Sequence, residues 1–191
     1  MNCTDIAAGL TAAVCGQAPV PNSFGDVIIG NWEDIDKANC TVANNIISEI
    51  VLKADKLAYV FNTFEDSVGG VATFNKGTYF NTFQHDVMLR VFTKTELAKA
   101  FVNNAMYARV FVILRNKDID TGKVKYEIYG WDAGLEMTAA VADISMPDSV
   151  VYDMTFGSSD NAKEGSLPKS IYVTSEAATD AMVEALHTVT P

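Results

Sequence analysis

Residues 126–137 read Tyr126-Glu-Ile-Tyr-Gly-Trp-Asp-Ala-Gly-Leu-Glu-Met137, and they lie inside a longer stretch, residues 107–156, that decides the fold. This stretch combines a nearly continuous apolar run at 108–114 with runs in which apolar and polar side chains alternate, separated by short turns. Alternation with a period of two is typical of strands that bury one face. The stretch therefore predicts antiparallel sheet, and it contains no catalytic motif.

Outside this stretch, short β-branched or alternating runs predict further strands. The strands expected along the whole chain lie at 26–32, 46–52, 57–64, 78–92, 108–114, 124–131, 135–141, 150–156 and 170–174. The strands at 46–52 and 57–64 are expected to form a hairpin, and no βαβ repeat is present. We therefore predict a mainly β fold, an antiparallel β-sandwich or barrel with one internal flanking α-helix and a short C-terminal helix.

The two helices are predicted from their caps and apolar stripes. Thr93-Lys-Thr-Glu96 has the spacing of a capping box and predicts a helix over 94–104. Ser175 is suited to cap the second helix. The stripes expected to face the sheet are Leu97, Ala100 and Phe101 in the first helix and Ala178, Met182, Ala185 and Leu186 in the second.

We expect one β domain at 26–174, preceded by an N-terminal arm at 1–25 and followed by a C-terminal helix and tail at 175–191. The arm is rich in Ala and Gly and ends in a segment with two prolines, which excludes regular interior structure there. The Gly69-Gly70 pair predicts a projecting loop over 65–75, and a second flexible loop is expected at 157–169.

Charge and composition exclude several classes of protein. The formal net charge is −10 over 191 residues, and the basic residues are scattered, which argues against a protein that grips nucleic acid. Cys3, Cys15 and Cys40 lack the spacing of a zinc site or a disulfide framework. No signal peptide and no apolar run of membrane-spanning length is found, so we expect a soluble chain made in a cytoplasm.

Residues suited to catalysis are scarce. The chain has two histidines, His85 within a predicted strand and His187 near the C-terminus, too few for a triad or a multi-histidine metal site. We interpret His85 as a packed or surface strand residue. Nucleophile-elbow, phosphate-loop and dinucleotide motifs are missing, so the chain is not expected to be an enzyme or to bind a cofactor or metal.

One segment partly matches a calcium loop. Asn116, Asp118, Asp120 and Glu127 occupy the first, third, fifth and twelfth positions of such a loop, but the sixth position is Thr121 where the sharp turn requires Gly. Strands are predicted on both sides of it. A plain hairpin turn is the preferred interpretation.

Acidic and aromatic residues leave two further sites to weigh. Glu33/Asp34 and Glu65/Asp66 are adjacent in sequence, so in extended backbone their carboxylates point apart and are interpreted as solvated surface. Trp32 and Trp131 could be ligand-stacking platforms, but packing at a strand end is preferred for both.

Four segments carry a pattern of cysteines, glycines and aromatic residues: an N-terminal segment with two bracketing cysteines, a following Gly-flanked strand and two aromatic and glycine patterns in the C-terminal half. They read Cys3, Ile6, Gly9-Leu10 and Cys15; Gly25-Asp-Val-Ile-Ile-Gly30; Tyr129-Gly-Trp-Asp-Ala-Gly-Leu135; and Tyr152-Asp-Met-Thr-Phe-Gly157. In these segments the chain resembles the tail-tube proteins of tailed bacteriophages, especially those of phages and prophages of Bacteroides and related gut bacteria.

The resemblance implies a structural virion protein that forms stacked, typically hexameric rings through which DNA passes non-specifically during genome ejection. It implies other tail proteins as partners, assembly in the host bacterial cytoplasm and no membrane binding by the chain itself. The joining elements of the family would correspond to 1–24, 64–75 and 176–191. The acidic charge agrees with a lumen to which DNA does not adhere.

Two alternatives follow from the same sequence. The loop at 158–169 and the added C-terminal helix depart from the tube pattern, which leaves room for other phage ring proteins that share the tube fold, at the neck, at the tail terminus or near the baseplate. A ligand- or carbohydrate-binding β-sandwich module is the alternative from another class, and it rests on Trp32, Tyr129 and Trp131.

Overall fold

The computed structural model describes residues 23–62, 67–92, 94–116, 122–142 and 152–188. The described residues form eleven strands and two α-helices, with a 3₁₀ turn at Trp32–Asp34. The strands are β1 Ser23–Asn31, β2 Thr41–Ala43, β3 Ile46–Glu49, β4 Tyr59–Asn62, β5 Val68–Asn75, β6 Thr82–Val91, β7 Arg109–Asn116, β8 Tyr126–Tyr129, β9 Leu135–Ala142, β10 Tyr152–Gly157 and β11 Lys169–Ile171; the helices are α1 Glu96–Ala105 and α2 Glu176–Ala185.

Seven strands form the central layer, in the order β4-β1-β7-β8-β11-β3-β2. Neighbouring strands in this layer are antiparallel except β11 and β3, which run parallel. The last strand of the chain is thus inserted between β3 and β8, far from both in sequence. The sheet is mixed for this reason, whereas the sequence predicted antiparallel pairing alone.

The other four strands form a second layer, in the antiparallel order β9-β10-β6-β5. The two layers are joined where the start of β7 pairs with β9, at Arg109↔Glu136 and Val110↔Leu135. The fold is therefore mainly β and of sandwich type, as predicted, with the two layers continuous along one corner.

The main core lies between the two layers. It receives alternate side chains from the central layer and from the second layer, so each of these strands contributes one face. The fully buried members include Val27, Val112, Leu114, Leu89, Met154 and Phe156. In β6, which lies within the predicted strand 78–92, the odd positions from 85 to 91 are buried.

A second core lies on the opposite face of the central layer, where α2 covers it. Phe111, Ile113 and Ile128 point to this side and pack with Val183 and Leu186 of the helix. Strand β7 is therefore buried on both faces, which is why its sequence is continuously apolar rather than alternating. Each fully buried aliphatic side chain contributes about 1.5–3 kcal/mol of transfer free energy.

The first helix begins at Glu96, two residues later than predicted. Thr95 is its N-cap, and the Thr95 hydroxyl accepts a hydrogen bond from Ala98 N at 3.1 Å. The buried positions are Ala98 and Ala105, with Phe101 partly buried between them. The predicted stripe is wrong at Leu97, which is 81% exposed, and at Ala100, which is also exposed.

The second helix is capped by Ser175 as predicted, its hydroxyl accepting from Ala178 N at 3.2 Å. Its buried residues are Thr179 and Val183, followed by Leu186 just beyond the helix. The predicted stripe is wrong at Ala185, which is exposed. Alanine is small enough for either a buried or an exposed position. The spacing of the apolar residues therefore did not show which side of the helix faces the sheet.

Three local predictions are corrected by long-range pairing. The strands near 46–52 and 57–64 do not form a hairpin, because β3 pairs with β2 and β11 while β4 pairs with β1. The short strand β2 was not predicted. Residues 68–75, predicted as part of a projecting loop, form β5 and pair along their whole length with β6.

Several predictions lie outside the described residues. These concern the arm at 1–22, the possible capping residue Thr93, the loop segment 63–66 and the tail at 189–191. Strand β1 begins at Ser23, three residues before its predicted start. No helix in the described part of the chain is long and apolar enough to cross a bilayer.

Candidate functional site

The β5–β6 hairpin carries several exposed large hydrophobic residues, namely Val71, Phe74, Tyr79, Phe80 and Met88. Its register runs from Val68↔Leu89 to Asn75↔Thr82, which leaves residues 76–81 as the tip. A side chain at Gly77 would collide with the carbonyl oxygen of Phe80, so the tip requires Gly there. Tyr79 and Phe80 are 89% and 82% exposed.

The outer edge of this hairpin is open over residues 71–75. Among the described strands, β5 is the last in its layer and pairs with β6 alone. Val71 and Phe74 are 58% and 54% exposed. Natural edge strands are usually protected from pairing with other chains by charged residues, proline or a bulge, and this edge has none of them.

The part of the hairpin around its tip carries little charge for a chain that is strongly acidic. Residues 67–83 contain one charged side chain, that of Lys76, whereas the whole chain has 24 acidic residues. A surface free of carboxylates lets two copies of an acidic protein approach without local repulsion. The composition of this segment therefore favours contact with another copy of the chain.

A polar cluster supports the hairpin near its tip, and we call the buried His85, Glu164 and Lys169, together with the more exposed Asp132, the buried joint. His85 lies on β6 and is 1% exposed. Its Nδ1 accepts a hydrogen bond from Gly130 N at 3.4 Å, and its Nε2 lies 2.9 Å from the carbonyl oxygen of Ser166. A neutral imidazole protonated on Nε2 satisfies both contacts.

Glu164 links the hairpin to the turn at 130–134. Its carboxylate is buried and accepts hydrogen bonds from Asp132 N at 2.8 Å and Ala133 N at 2.9 Å. Its backbone exchanges hydrogen bonds with Phe83, at 2.8 and 3.0 Å. A single residue thus holds the end of β6 and the turn together. The loop predicted as flexible at 157–169 is tied down at this point.

Two lysines complete the support of this turn. Lys169 Nζ lies 3.3 Å from the carboxylate of Asp132 and donates to Ser166 Oγ at 2.7 Å. Lys37 Nζ donates to the carbonyl oxygens of Trp131 at 2.6 Å and Asp132 at 3.0 Å. The polar groups of the turn are therefore bound by residues from several distant segments.

Burial shifts the pKa values of this cluster in opposite directions. Burial lowers the pKa of His85 and raises the pKa of Glu164, because each is disfavoured in its charged form. Burial also lowers the pKa of Lys37. Both ring nitrogens of His85 are occupied by backbone partners, so the imidazole is arranged to hold structure rather than to take a proton from a substrate.

The Gly-Trp-Asp-Ala-Gly turn has the conformation that its glycines predict. Gly130 and Gly134 have φ values of 73° and 79°, in the left-handed region that favours glycine. A side chain at Gly134 would lie 2.9 Å from Trp32 Cγ. Trp131 is 6% exposed, which confirms its interpretation as a packing residue.

The aromatic residues considered for ligand stacking are largely covered. Tyr129 is 7% exposed, and burial raises the pKa of its hydroxyl. Trp32 is half-buried, with Lys37 Nζ 4.4 Å from its ring centroid and Arg109 at 5.3 Å. Neither Tyr129 nor Trp32 presents the open ring face that a sugar requires.

The remaining sites considered from sequence lie mostly outside the described residues. Residues 117–121 of the partial calcium loop lie outside the described residues, and the amide of Asn116 donates to Val124 O at 2.6 Å. Glu65, Asp66, Cys3 and Cys15 also lie outside them. Within the described ranges, no group of three or more metal-ligand residues occurs.

A cavity of about 380 Å³ lies at the C-terminal end of strand β1, between α1 and β4. Aromatic and aliphatic side chains form most of its wall, and Phe61 and Phe101 meet there with ring centroids 4.9 Å apart. Its polar side-chain amides come from Asn31 and Asn104. No residue that lines it carries a formal charge.

Comparisons of the chain with models of protein families, with curated proteins and with solved structures found no match. Function is therefore inferred from the hairpin, the buried joint and the cavity. The hairpin edge and Glu164 are the residues that sequence reasoning missed. The nearly uncharged composition of 67–83 was the available signal for the hairpin. A glutamate in a Gly- and Ser-rich loop, by contrast, gives no sign in the sequence that it will be buried.

His85 gives this cluster a testable dependence on pH. Its pKa in the folded chain lies below its ordinary value of 6.5, so between these two values the unfolded chain binds a proton that the folded chain does not. The stability that neutral His85 contributes is complete above pH 6.5 and is lost as the pH falls through the folded pKa. The slope is at most about 1.4 kcal/mol per pH unit.

Urea unfolding at several pH values between about 7.5 and about 5.5 measures this slope. We expect the free energy of unfolding to rise with pH more steeply in the wild type than in His85→Gln. The neighbouring charged groups remain in both proteins, so their contributions cancel in the difference; they are Asp86, Asp132, Glu164 and Lys169. His187→Gln is the matched control for the loss of one histidine. Equal slopes in the wild type and His85→Gln would contradict the buried neutral imidazole.

Proposed function

We propose that this chain is a non-enzymatic structural subunit that assembles through the β5–β6 hairpin into rings, in the manner of the bacteriophage tail-tube proteins that its sequence resembles. The observation that carries the proposal is the open, uncharged edge at 71–75 with its aromatic tip. Such an edge pairs readily with another strand, and ring closure satisfies it in every copy.

The buried joint also supports an assembly role. A hairpin that mediates contact between subunits needs a fixed direction, because its mobility would cost entropy on every contact. Glu164 and His85 fix the part of β6 nearest the tip against the turn at 130–134. Little conformational entropy is therefore lost when the hairpin contacts a partner.

The charge of the chain agrees with a conduit. A net charge of −10 would repel the phosphates of DNA and let a duplex pass without adhering. In this proposal the partners are other copies of the chain and the neighbouring tail proteins, and the assembled particle is the virion tail.

Electron microscopy and light scattering of the full chain over a range of concentrations test the proposal. We expect closed rings or short tubes, and we expect no retention of duplex DNA in a gel-shift assay at physiological salt. A chain that stays monomeric at every concentration, alone and with neighbouring tail proteins, would remove the assembly role.

Val71→Lys tests the edge itself. A lysine on an open edge strand disfavours pairing with a second strand, so we expect rings to be lost. The free energy of unfolding is expected to stay within about 0.5 kcal/mol of the wild type. Val141→Lys on β9 is the matched control, because Val71 and Val141 are 58% and 60% exposed. If both variants assemble like the wild type, the contact lies elsewhere.

A further inference from the structure

We propose that the tip of the hairpin of one copy inserts Phe80, with Tyr79 beside it, into the cavity between α1 and β4 of the next copy. This inference rests on the proposed function and names the surface that receives the hairpin. The tip and the cavity are separate places on one chain, so the contact is heterologous: each copy offers a tip and a cavity at the same time.

The tip has the chemistry of an anchor that lacks its pocket. Tyr79 and Phe80 are adjacent, 89% and 82% exposed, and lie on a turn with the required Gly77. Large apolar side chains are rarely so exposed in pairs unless they meet another molecule. Aromatic residues of this kind are typical centres of binding energy at interfaces.

The cavity has the chemistry of the matching pocket. Its volume of about 380 Å³ falls within the range of sites that bind small groups, and its wall is apolar and aromatic. Phe61 and Phe101 offer ring edges and faces to an incoming ring. Asn104, exposed on α1, lines the cavity and can donate to or accept from a tyrosine hydroxyl.

Charge distinguishes a second copy from other occupants. Both surfaces are neutral in a chain of net charge −10: the cavity has no charged lining residue, and the tip has Lys76 alone. Two copies of this acidic chain therefore meet where neither carries carboxylates. A heterologous contact of this kind closes into a ring when the rotation between copies allows it, which is the geometry that the proposed function needs.

Two single variants separate the tip from the cavity. Phe80→Ser removes the anchor and leaves the cavity intact, and Asn104→Glu places a carboxylate at the cavity and leaves the tip intact. Each is expected to weaken the contact by about 10- to 100-fold, the range for withdrawing one buried aromatic side chain. The matched controls are Leu97→Ser, at an apolar residue 81% exposed on α1, and Asn103→Glu, at the adjacent residue that does not line this cavity.

Mixing the two variants gives the decisive result. At a concentration at which the wild type assembles and each variant alone is monomeric, an equimolar mixture of Phe80→Ser and Asn104→Glu is expected to form 1:1 pairs that grow no further. The intact tip of one occupies the intact cavity of the other, and the damaged surfaces block the next addition. Sedimentation velocity or mass photometry reads the stoichiometry.

The outcomes separate this inference from the proposed function. A wild type that never assembles overturns both. A wild type that assembles while Phe80→Ser or Asn104→Glu assembles equally well, or a mixture that forms no pairs, overturns the inference and leaves the hairpin edge as the contact. If Asn104→Glu fails to fold by circular dichroism, Tyr59→Asp, at a cavity residue that is 67% exposed, replaces it in the same mixture.

Discussion

Phe111→Ala is expected to lower the free energy of unfolding by about 3–5 kcal/mol, the range for truncating a buried phenylalanine. Phe111 lies on β7, is 0% exposed and belongs to the core beneath α2. Its ring fills the space above Gly30 of the paired strand β1, where a side chain would collide with it. Truncation leaves a cavity that the surrounding strands cannot close, since they are held by their hydrogen bonds.

Urea unfolding followed by tryptophan fluorescence measures this loss. Phe80→Ala is the matched control, because the same substitution at an 82% exposed residue is expected to change stability by no more than about 0.5 kcal/mol. Both are compared at a dilution at which no assembly occurs. A loss below about 1 kcal/mol for Phe111→Ala would contradict a closed second core.

Glu164→Leu is expected to lower the free energy of unfolding by about 2–4 kcal/mol. The carboxylate accepts hydrogen bonds from Asp132 N and Ala133 N, and leucine leaves both donors buried without a partner. Each unsatisfied donor costs about 1–3 kcal/mol. We expect the amides of β6 nearest the tip to exchange with solvent faster as well, because the backbone of Glu164 pairs with Phe83.

The control for this variant is Glu33→Leu, at an exposed glutamate whose loss leaves no buried donor. Glu164→Gln keeps an oxygen acceptor and most of the shape, so its effect is expected to lie between those of Glu164→Leu and the wild type. Hydrogen exchange measured residue by residue separates a local effect on the hairpin from a global loss of stability. Unchanged exchange at residues 82–84 in Glu164→Leu would contradict the role of the buried joint.

The strands of residues 107–156 could be predicted from sequence because their patterns are local. Tyr152, Met154 and Phe156 alternate with polar residues, and the structure buries these three side chains in β10. Strand β7 was also located closely, since a continuous apolar run of that length suits a strand buried on both faces. The glycine turn between β8 and β9 followed from the backbone freedom of Gly130 and Gly134.

The pairing partners could not be predicted in the same way. Strands β3 and β4 are adjacent in sequence and separated by a turn-prone segment, which is the ordinary pattern of a hairpin. Their actual partners come from the two ends of the described chain, β11 and β1. Nothing within residues 46–62 carries this information.

The candidate site was missed for a related reason. Gly69-Gly70 indicated a loop, but Gly70 lies where a side chain would collide with the ring of Tyr129, so its small size serves close packing within a strand. Glu164 and Lys169 lie in a segment rich in Gly, Ser and Pro, where charged residues are normally solvated. Their burial depends on partners from the turn at 130–134, which only the folded chain brings near.

The insertion of β11 between β3 and β8 sets the order in which the chain can complete its fold during synthesis. Ser170 pairs with Ile46 on one side and with Glu127 on the other, so two edges of the central layer remain open until the last part of the chain leaves the ribosome. The β5–β6 hairpin, whose strands are close in sequence, can form long before that moment. In the proposed assembly, the contact surface would therefore form before the central layer of the same chain is closed.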